Sequence, residues 1–310
     1  MFTIFRGNYG VSALDGLQRT VDGVPGRPRL VAMRKGNARR HFAFCILFLF
    51  LCRPLTAGLV ICVYHNHELY VGGDSLSLPG AAGDTFRSPR IFKVANNCCV
   101  SFSGYNGPTL KSAKTGKESR ILFPAELEEI CGDVRSATGP LQDKIDRILV
   151  LFGERFHEFL DRVKSEGATN QDVGDAGVRI AFMGFDGSKQ AFFGSSYRFS
   201  GTNRTVLETV FERNATNNQG SLSFQGETKF LGALISGEQK PAQLPSENFR
   251  KTVADIYTEA PIPEQRLTDC MLEMFRLQKS HSASLGYDEG SIEEPYTICK
   301  ITTNGIVLIH

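Results

Sequence analysis

Thr56 has the side chain with the most consequential chemistry in this sequence, because it lies where a processed chain could begin. A free α-amino group titrates at a pKa of about 7.7 to 8 and can accept the proton of a neighbouring hydroxyl. A chain that started at Thr56 would therefore present an activated hydroxyl able to attack an amide carbonyl. The site at which the chain is cut decides whether this chemistry is available.

An apolar run directly before Thr56 predicts a secretory signal. Residues 42–52 are uninterrupted apolar residues preceded by basic ones, and the run is shorter than the roughly 20 residues that a membrane-spanning helix needs. We expect residues 33–57 to form a signal peptide that is cut after Ala57, so that the mature chain begins at Gly58. Two alternatives stay open: cleavage after Leu55, which would expose Thr56, and an uncleaved signal that anchors the protein in a membrane.

Residues 1–32 stand unusually far ahead of a signal core, and Met33 would be a more ordinary start. We therefore interpret residues 1–32 as an upstream extension or as an artefact of gene modelling. The rest of the chain, 58–310, is predicted to be a single domain, which begins at 56 if Thr56 is retained. The expected location is outside the cell, in the secretory pathway or in the cell envelope, without a stable membrane span once the signal is removed.

The charge pattern excludes one class of partner. The 35 basic residues outnumber the 33 acidic ones by only two, and much of the basic excess precedes residue 55. The mature chain is thus mildly acidic and lacks the clustered basic face that nucleic-acid binding requires. Hydrophobic residues at 41% and charged residues at 22% are typical of a folded globular domain.

Cysteines and sequons give weaker indications. Six cysteines follow residue 58, an even number that is compatible with disulfides, but several lie in apolar runs where a buried thiol behaves as a small hydrophobe. We expect mostly free thiols. The tripeptides Asn203-Arg-Thr205 and Asn214-Ala-Thr216 predict glycosylation if the chain enters a eukaryotic secretory pathway. The six cysteines are Cys62, Cys98, Cys99, Cys131, Cys270 and Cys299.

No other cluster of residues indicates a cofactor or metal site. His65, His67 and Glu68 lie close together, but no fourth ligand has suitable spacing, so we interpret them as exposed turn residues. The glycines near Gly104 lack the lysine of a phosphate-binding loop, and there is no serine-centred nucleophile elbow. We expect neither a cofactor nor a metal.

The hydrophobic periodicity predicts an α+β protein in which strands flank helices. Residues 201–226 are predicted to be irregular, and 236–262 to be largely a Gly/Pro-rich link. Predicted helices cover 124–131, 140–160 and 263–282. Predicted strands cover 59–64, 69–73, 90–94, 98–103, 178–183, 190–193, 230–235, 296–301 and 306–309.

The order of these elements resembles the proteasome-subunit family of N-terminal-nucleophile hydrolases. The second strand ends in Val71-Gly-Gly-Asp74-Ser75, which is similar to the family's small-small-Asp-Ser signature, and the fourth ends in Ser-Gly104. The resemblance covers most of the chain from Thr56 onward and is specific over residues 56–104. It implies a four-layer αββα sandwich, with two antiparallel sheets between pairs of helices.

The resemblance also implies three site residues. Thr56 takes the place of the family's nucleophile if the first hairpin is about two residues longer than usual. Asp74 matches the family's aspartate. The family's lysine falls on Arg90, which keeps the positive charge but cannot release its proton, whereas Lys93 falls on the opposite face of its strand.

Two functional classes remain open at this point. The first is a threonine-type amide or peptide hydrolase, in which Thr56 attacks the carbonyl, Asp74 and Arg90 set the field, and backbone N–H groups near Gly104 hold the oxyanion. The second is a noncatalytic relative that acts as a binding or assembly module. The partners implied are a peptide or amide substrate in the first case and, in either case, further copies of the chain.

Overall fold

The coordinates are those of a computed structural model. The predicted signal peptide, Thr56 and the sequon at Asn203 lie outside the described residues, and all described residues belong to the unit Arg53–His310. The structure describes residues 58–79, 85–104, 109–111, 118–120, 122–165, 177–186, 191–200, 213–214, 220–226, 229–237, 245–258, 260–284 and 292–310.

Strands dominate the described part of the chain. Most arise from short β-branched and apolar runs that end at Gly, Asn or Pro, as the sequence predicts. In chain order they are β1 (Leu59–His65), β2 (Glu68–Pro79), β3 (Thr85–Ser88), β4 (Ile91–Ala95), β5 (Cys98–Gly104), β6 (Thr109–Lys111), β7 (Glu118–Arg120), β8 (Gly177–Phe185), β9 (Ala191–Ser200), β10 (Arg213–Asn214), β11 (Ser221–Gly226), β12 (Glu293–Thr302) and β13 (Gly305–Leu308).

Five helices lie among the described residues. The first begins with Pro124 in its first turn, where the missing N–H costs no helical hydrogen bond. The fourth is capped by Ser246, whose hydroxyl accepts a hydrogen bond from the N–H of Phe249 at 3.0 Å. The helices are α1 (Phe123–Ser136), α2 (Leu141–Ser165), α3 (Lys229–Ser236), α4 (Glu247–Ile256) and α5 (Glu264–Ser284).

Three sequence predictions are wrong in this part of the chain. The strand predicted at 230–235 is helix α3, because Phe230, Leu231, Leu234 and Ile235 lie on one helical face and a short apolar run does not distinguish the two structures. The stretch predicted to be irregular ends in β11. The predicted link contains α4, a helix of nearly three turns in which only Phe249, Thr252 and Ile256 are buried, so its apolar pattern is weak.

The strands form two antiparallel sheets and a small ribbon. Sheet 1 has the order β11-β1-β2-β12-β13, with β3 paired to the far end of β2. Sheet 2 has the order β10-β9-β8-β5-β4, and β6 pairs with β7. The first strand of the domain is therefore an inner strand of sheet 1 and is paired on both edges, with β11 and with β2.

Three clusters of buried side chains surround these sheets. One joins α1 and α2 to sheet 2, and a second joins α3, α4 and α5 to sheet 1. The third contains residues of both sheets. Strand β1 shows the alternation that produces this pattern, since Leu59, Ile61 and Val63 belong to the helix-side cluster whereas Val60 and Cys62 belong to the cluster shared by the two sheets.

The β1–β2 hairpin closes through a two-residue turn. His65 pairs with Glu68, and the intervening Asn66 and His67 have φ angles of 49° and 62°, which is the backbone of a type I′ turn. His65 is also buried, at 3% exposure, with Nε2 3.0 Å from the carbonyl oxygen of Ala260, so the prediction that it is an exposed turn residue is wrong.

Candidate functional site

A buried ion pair lies beside the start of β1. Arg90, which directly precedes β4, donates through Nε to Oδ1 of Asp74 on β2 at 2.6 Å. The two side chains are 1% and 0% exposed. The same carboxylate oxygen accepts a hydrogen bond from the N–H of Leu59 at 2.7 Å, so Asp74 holds both the guanidinium and the first strand in place.

The two glycines before Asp74 are explained by crowding on both faces of β2. A Cβ at Gly72 would lie 2.9 Å from Cε of Met271 on α5, and a Cβ at Gly73 would lie 3.2 Å from the side chain of Ile91. Both distances are shorter than ordinary van der Waals contacts between carbon atoms. The small-small-Asp pattern therefore lets sheet 1 approach a helix on one side and the Arg90 segment on the other.

Gly58 is the residue that contacts the guanidinium. Its φ angle is 136°, and a Cβ on it would overlap Cζ of Arg90 and lie 2.5 Å from Nε. The backbone of Gly58 thus lies against the guanidinium of Arg90, which occupies the space where any other residue at position 58 would place its side chain. Position 58, which lies against the guanidinium, therefore has no hydroxyl, thiol or amine on a side chain.

Further polar groups surround this pair. The hydroxyl of Ser75 donates to the carbonyl oxygen of Pro295, which joins β2 to β12 beside Asp74. Burial raises the pKa of Tyr296 to about 12, and the negative charges of Glu294 and Asp74 act in the same direction. Tyr296 therefore stays protonated near neutral pH and does not serve as a base there.

A second buried polar contact crosses between the two sheets. The hydroxyl of Ser101 on β5 donates to Oε1 of Gln225 on β11 at 2.9 Å, and both residues are buried. Ser101 pairs with Ile91, the residue after Arg90. The contact therefore fixes sheet 2 against sheet 1 close to the ion pair.

The structure brings together two of the three residues that the resemblance implies. Asp74 and Arg90 are in contact, and Thr56 lies outside the described residues. Lys93 is exposed on β4 whereas Arg90 is buried, as expected for the opposite face. Gly104 ends β5 with a φ angle of 104°, beyond Phe102, whose N–H donates to the carbonyl oxygen of Arg90 at 2.8 Å.

Sequence reasoning did not find the roles of Gly58, Leu59 or Gln225. The one signal for Gly58 was a glycine directly before a run that is apolar on both faces. Nothing in the sequence indicates that Gln225 lies opposite Ser101, because β11 was not predicted at all.

The described residues contain no group of three or more His, Cys, Asp or Glu side chains arranged to hold a metal ion. The six cysteines after residue 58 are all buried and free, which agrees with the expectation of mostly free thiols. Among the described helices, none is both long and apolar enough to cross a membrane.

The fold and site define a mixed α/β protein with two antiparallel sheets and a buried Asp–Arg pair at the start of its first strand. No family model and no curated protein matches the chain. Among solved structures, the chain is similar to Anbu (ancestral beta-subunit) from Yersinia bercovieri, with 14% identity over 81% of this chain and 86% of that chain, and a TM-score of 0.39.

Proposed function

We propose that this chain is a noncatalytic member of the proteasome-like N-terminal-nucleophile hydrolase fold that acts as an assembly module. The observation that carries the proposal is the contact between Gly58 and Arg90. The guanidinium is next to a residue without a side chain, and it is buried against the carboxylate of Asp74. Among the described residues, this pair holds the first strand in place, and the residue against the guanidinium, Gly58, has no side chain that could act as a nucleophile.

The core clusters support the four-layer arrangement that this fold requires. Helices α1 and α2 share a cluster with sheet 2, helices α3 to α5 share one with sheet 1, and the third cluster draws from both sheets. An order of helices, sheet 2, sheet 1 and helices accounts for all three clusters, because each sheet must bury both of its faces.

The absence of a nucleophile is tested with a hydroxyl-directed probe. A β-lactone acylates an activated threonine and leaves a mass adduct on the residue. We expect no adduct on the N-terminal residue of the mature protein, in the wild type or in Thr56→Ala. An adduct that is lost in Thr56→Ala and kept in Thr56→Ser would refute the noncatalytic interpretation.

The assembly role is supported by the outer edge of sheet 1. Strand β13 is the last strand of the sheet, and Val307 and Leu308 on it are 58% and 68% exposed. The strand contains no charged residue. Proteins commonly protect edge strands with charges, prolines or bulges, and an unprotected apolar edge is a template for pairing with another chain.

Sedimentation velocity over a range of concentrations tests assembly through this edge. Val307 faces Lys300 across β12 and β13, so Val307→Glu adds a favourable cross-strand pair while it places a charge on the edge. Val150 on α2 has a matching exposure of 59% and provides the control, Val150→Glu. We expect the wild type and the control to associate and Val307→Glu to sediment as a monomer. A wild type that remains monomeric throughout, or equal effects of the two variants, would contradict the proposal.

A second candidate, a threonine-type amide or peptide hydrolase, is favoured by one observation. Asp74 and Arg90 both lie against the first residues of β1, close in sequence to Thr56. In this case Thr56 would be the nucleophile of a chain cut after Leu55. The N-terminal sequence of the mature protein separates the two candidates, since only a start at Thr56 supplies the activating amine.

Secretion and glycosylation are part of the same proposal. The apolar run at residues 42–52 and the two sequons support them. Recovery of the protein from the culture medium or envelope with Gly58 at its N-terminus would support this location, and a cytosolic protein that retains residues 33–57 would contradict it.

A further inference from the structure

In the part of the chain that the structure describes, three hairpin turns contain asparagine. Asn66 lies between β1 and β2, Asn96 and Asn97 lie between β4 and β5, and Asn304 lies between β12 and β13. Asparagine is a chemically labile residue, because its side-chain amide can be attacked by the backbone nitrogen of the next residue. The residue that follows each asparagine and the contacts of its amide therefore decide which of the four is reactive.

Asn304 differs from the other three in the residue that follows it. It is followed by Gly305, and none of the other three turn asparagines is followed by glycine. Glycine has no Cβ that would hinder the approach of another group to its backbone nitrogen. The carbonyl carbon of the Asn304 side chain therefore has the least obstructed nucleophile beside it. Asn106 also precedes a glycine, but it lies outside the described residues.

The backbone of the turn favours glycine at position 305. Gly305 has a φ angle of 156°, a conformation that residues with a Cβ rarely adopt. A Cβ built on Gly305 would lie 3.8 Å from the carbonyl oxygen of Asn96, which is an ordinary contact. The backbone angle, rather than a lack of space, thus explains the glycine, and the Asn-Gly pair follows from the way β12 turns into β13.

The contacts of Asn304 leave its side-chain amide free to react. The residue is exposed, and its amide is bonded to none of the described residues. Its backbone N–H donates to Oγ1 of Thr302 at 3.1 Å, so the backbone is held while the side chain is not. Asn97 shows the opposite arrangement, because its Nδ2 donates to the carbonyl oxygen of Phe185 at 2.6 Å.

We propose that Asn304 is a site of spontaneous deamidation and isoaspartate formation in the folded protein. The backbone nitrogen of Gly305 loses its proton and attacks Cγ of Asn304. A new C–N bond forms, the bond between Cγ and Nδ2 breaks, and ammonia leaves with that proton, so that a succinimide ring remains. Water then opens the ring at either carbonyl and gives aspartate or isoaspartate. The net reaction consumes one water, releases one ammonia and needs no oxidant, reductant or enzyme.

The product changes the outer edge of sheet 1. Strand β13 contains no charged residue, and both products place a negative charge in the turn directly before it. Isoaspartate also adds one methylene to the backbone next to the paired residues Thr302 and Gly305. Because charges protect edge strands from pairing, the modification is expected to weaken association through β13. This consequence rests on the assembly role proposed above, whereas the reaction at Asn304 does not.

Peptide mapping of the full chain tests the reaction. The folded protein is incubated in water labelled with heavy oxygen, at neutral and at mildly alkaline pH, and its digest is analysed by mass spectrometry. We expect the Asn304 peptide to become aspartate and isoaspartate with one labelled oxygen, faster at alkaline pH because the attacking nitrogen must lose its proton. Electron-transfer fragmentation separates the two products. An Asn304 that yields no isoaspartate would overturn the proposal.

Two other asparagines provide controls in the same sample. Asn66 is exposed like Asn304 but precedes His67, and the amide of Asn97 is held, so both are expected to stay unmodified. Equal conversion of Asn97 and Asn304 would place the reaction in the unfolded chain and overturn the proposal. His67 has a φ angle of 62°, which glycine adopts without strain. His67→Gly is therefore expected to make Asn66 reactive, and an inert Asn66 in this variant would overturn the assignment of the reactivity to the following glycine.

Sedimentation velocity tests the consequence for assembly separately. Asn304→Asp supplies the charge of the product without the reaction, and Asn66→Asp makes the same change in an exposed turn away from β13. We expect Asn304→Asp to associate more weakly than the wild type and Asn66→Asp to associate like the wild type. Equal behaviour of the two variants would overturn the effect on the edge. A wild type that is monomeric would refute the assembly role, while the mapping would still decide the reaction at Asn304.

Discussion

Replacement of Gly58 by alanine tests the contact on which the proposed function depends. The new Cβ would overlap Cζ of Arg90, whose guanidinium is buried against Asp74. At a φ angle of 136° an alanine is also strained, whatever the space around it. Arg90 would have to leave its position against Asp74.

The expected loss combines these two effects. A residue held in a sparsely populated backbone region costs about 1–3 kcal/mol. A buried ion pair that loses its geometry costs about 3–5 kcal/mol, because the charges remain buried without compensation. Since Arg90 can relax in part, we expect Gly58→Ala to lower the free energy of unfolding by about 3–6 kcal/mol.

Urea unfolding of the full chain, followed by circular dichroism, measures this loss. With a slope of about 3 kcal/mol per molar urea, the midpoint should fall by about 1 M or more. Gly132 provides the control, because it lies inside α1 and a Cβ there would have nothing within 4 Å. Gly132→Ala should raise the stability by about 0.5–1 kcal/mol. A Gly58→Ala protein as stable as the wild type, or an equal loss in both variants, would refute the assigned contact.

Two further predictions concern buried ionisable groups. Asp74→Asn should lower the free energy of unfolding by about 3–5 kcal/mol, because it leaves Arg90 buried without its ion-pair partner. The control is Glu158→Gln, which removes one partner of an exposed ion pair and should change the free energy of unfolding by less than about 1 kcal/mol. Equal urea midpoints for the two variants would contradict the role of Asp74. Burial raises the pKa of Cys131 and of Cys270 to about 12. Above the ordinary thiol pKa, the unfolded chain therefore binds fewer protons than the folded chain. The free energy of unfolding should fall as the pH rises from about 9 toward 12. An unfolding free energy that stays constant or rises over this range would contradict that prediction.

The local pattern of residues was sufficient to predict much of the fold. The alternation and the apolar runs gave β1, β2, β4, β5, β8 and the closing hairpin, and the helical periodicity gave α2 and α5. Turn residues such as Asn66 marked the hairpins, because their backbone preferences are properties of single residues. The pattern failed where the local signal was short. The apolar run in α3 suits either a strand or a helix, and β11 lies at the end of a polar stretch.

The residues of the candidate site were also predicted only in part from the sequence. The sequence indicated Asp74 and Arg90 as residues of interest through its resemblance to the proteasome-subunit family. It did not show that they form a buried ion pair, because that contact depends on how β2 packs against the segment before β4. Nor did the sequence show that the residue against the guanidinium is Gly58, which has no side chain.

The sequence by itself thus determined the local elements, since propensity, periodicity and turn chemistry act over a few neighbouring residues. Only the tertiary structure decided that Gly58 faces Arg90 and that Ser101 meets Gln225. These contacts join residues from distant parts of the chain, and their positions follow from strand register and sheet packing. Strand register and sheet packing are fixed by the sum of many weak contacts and by no single local signal.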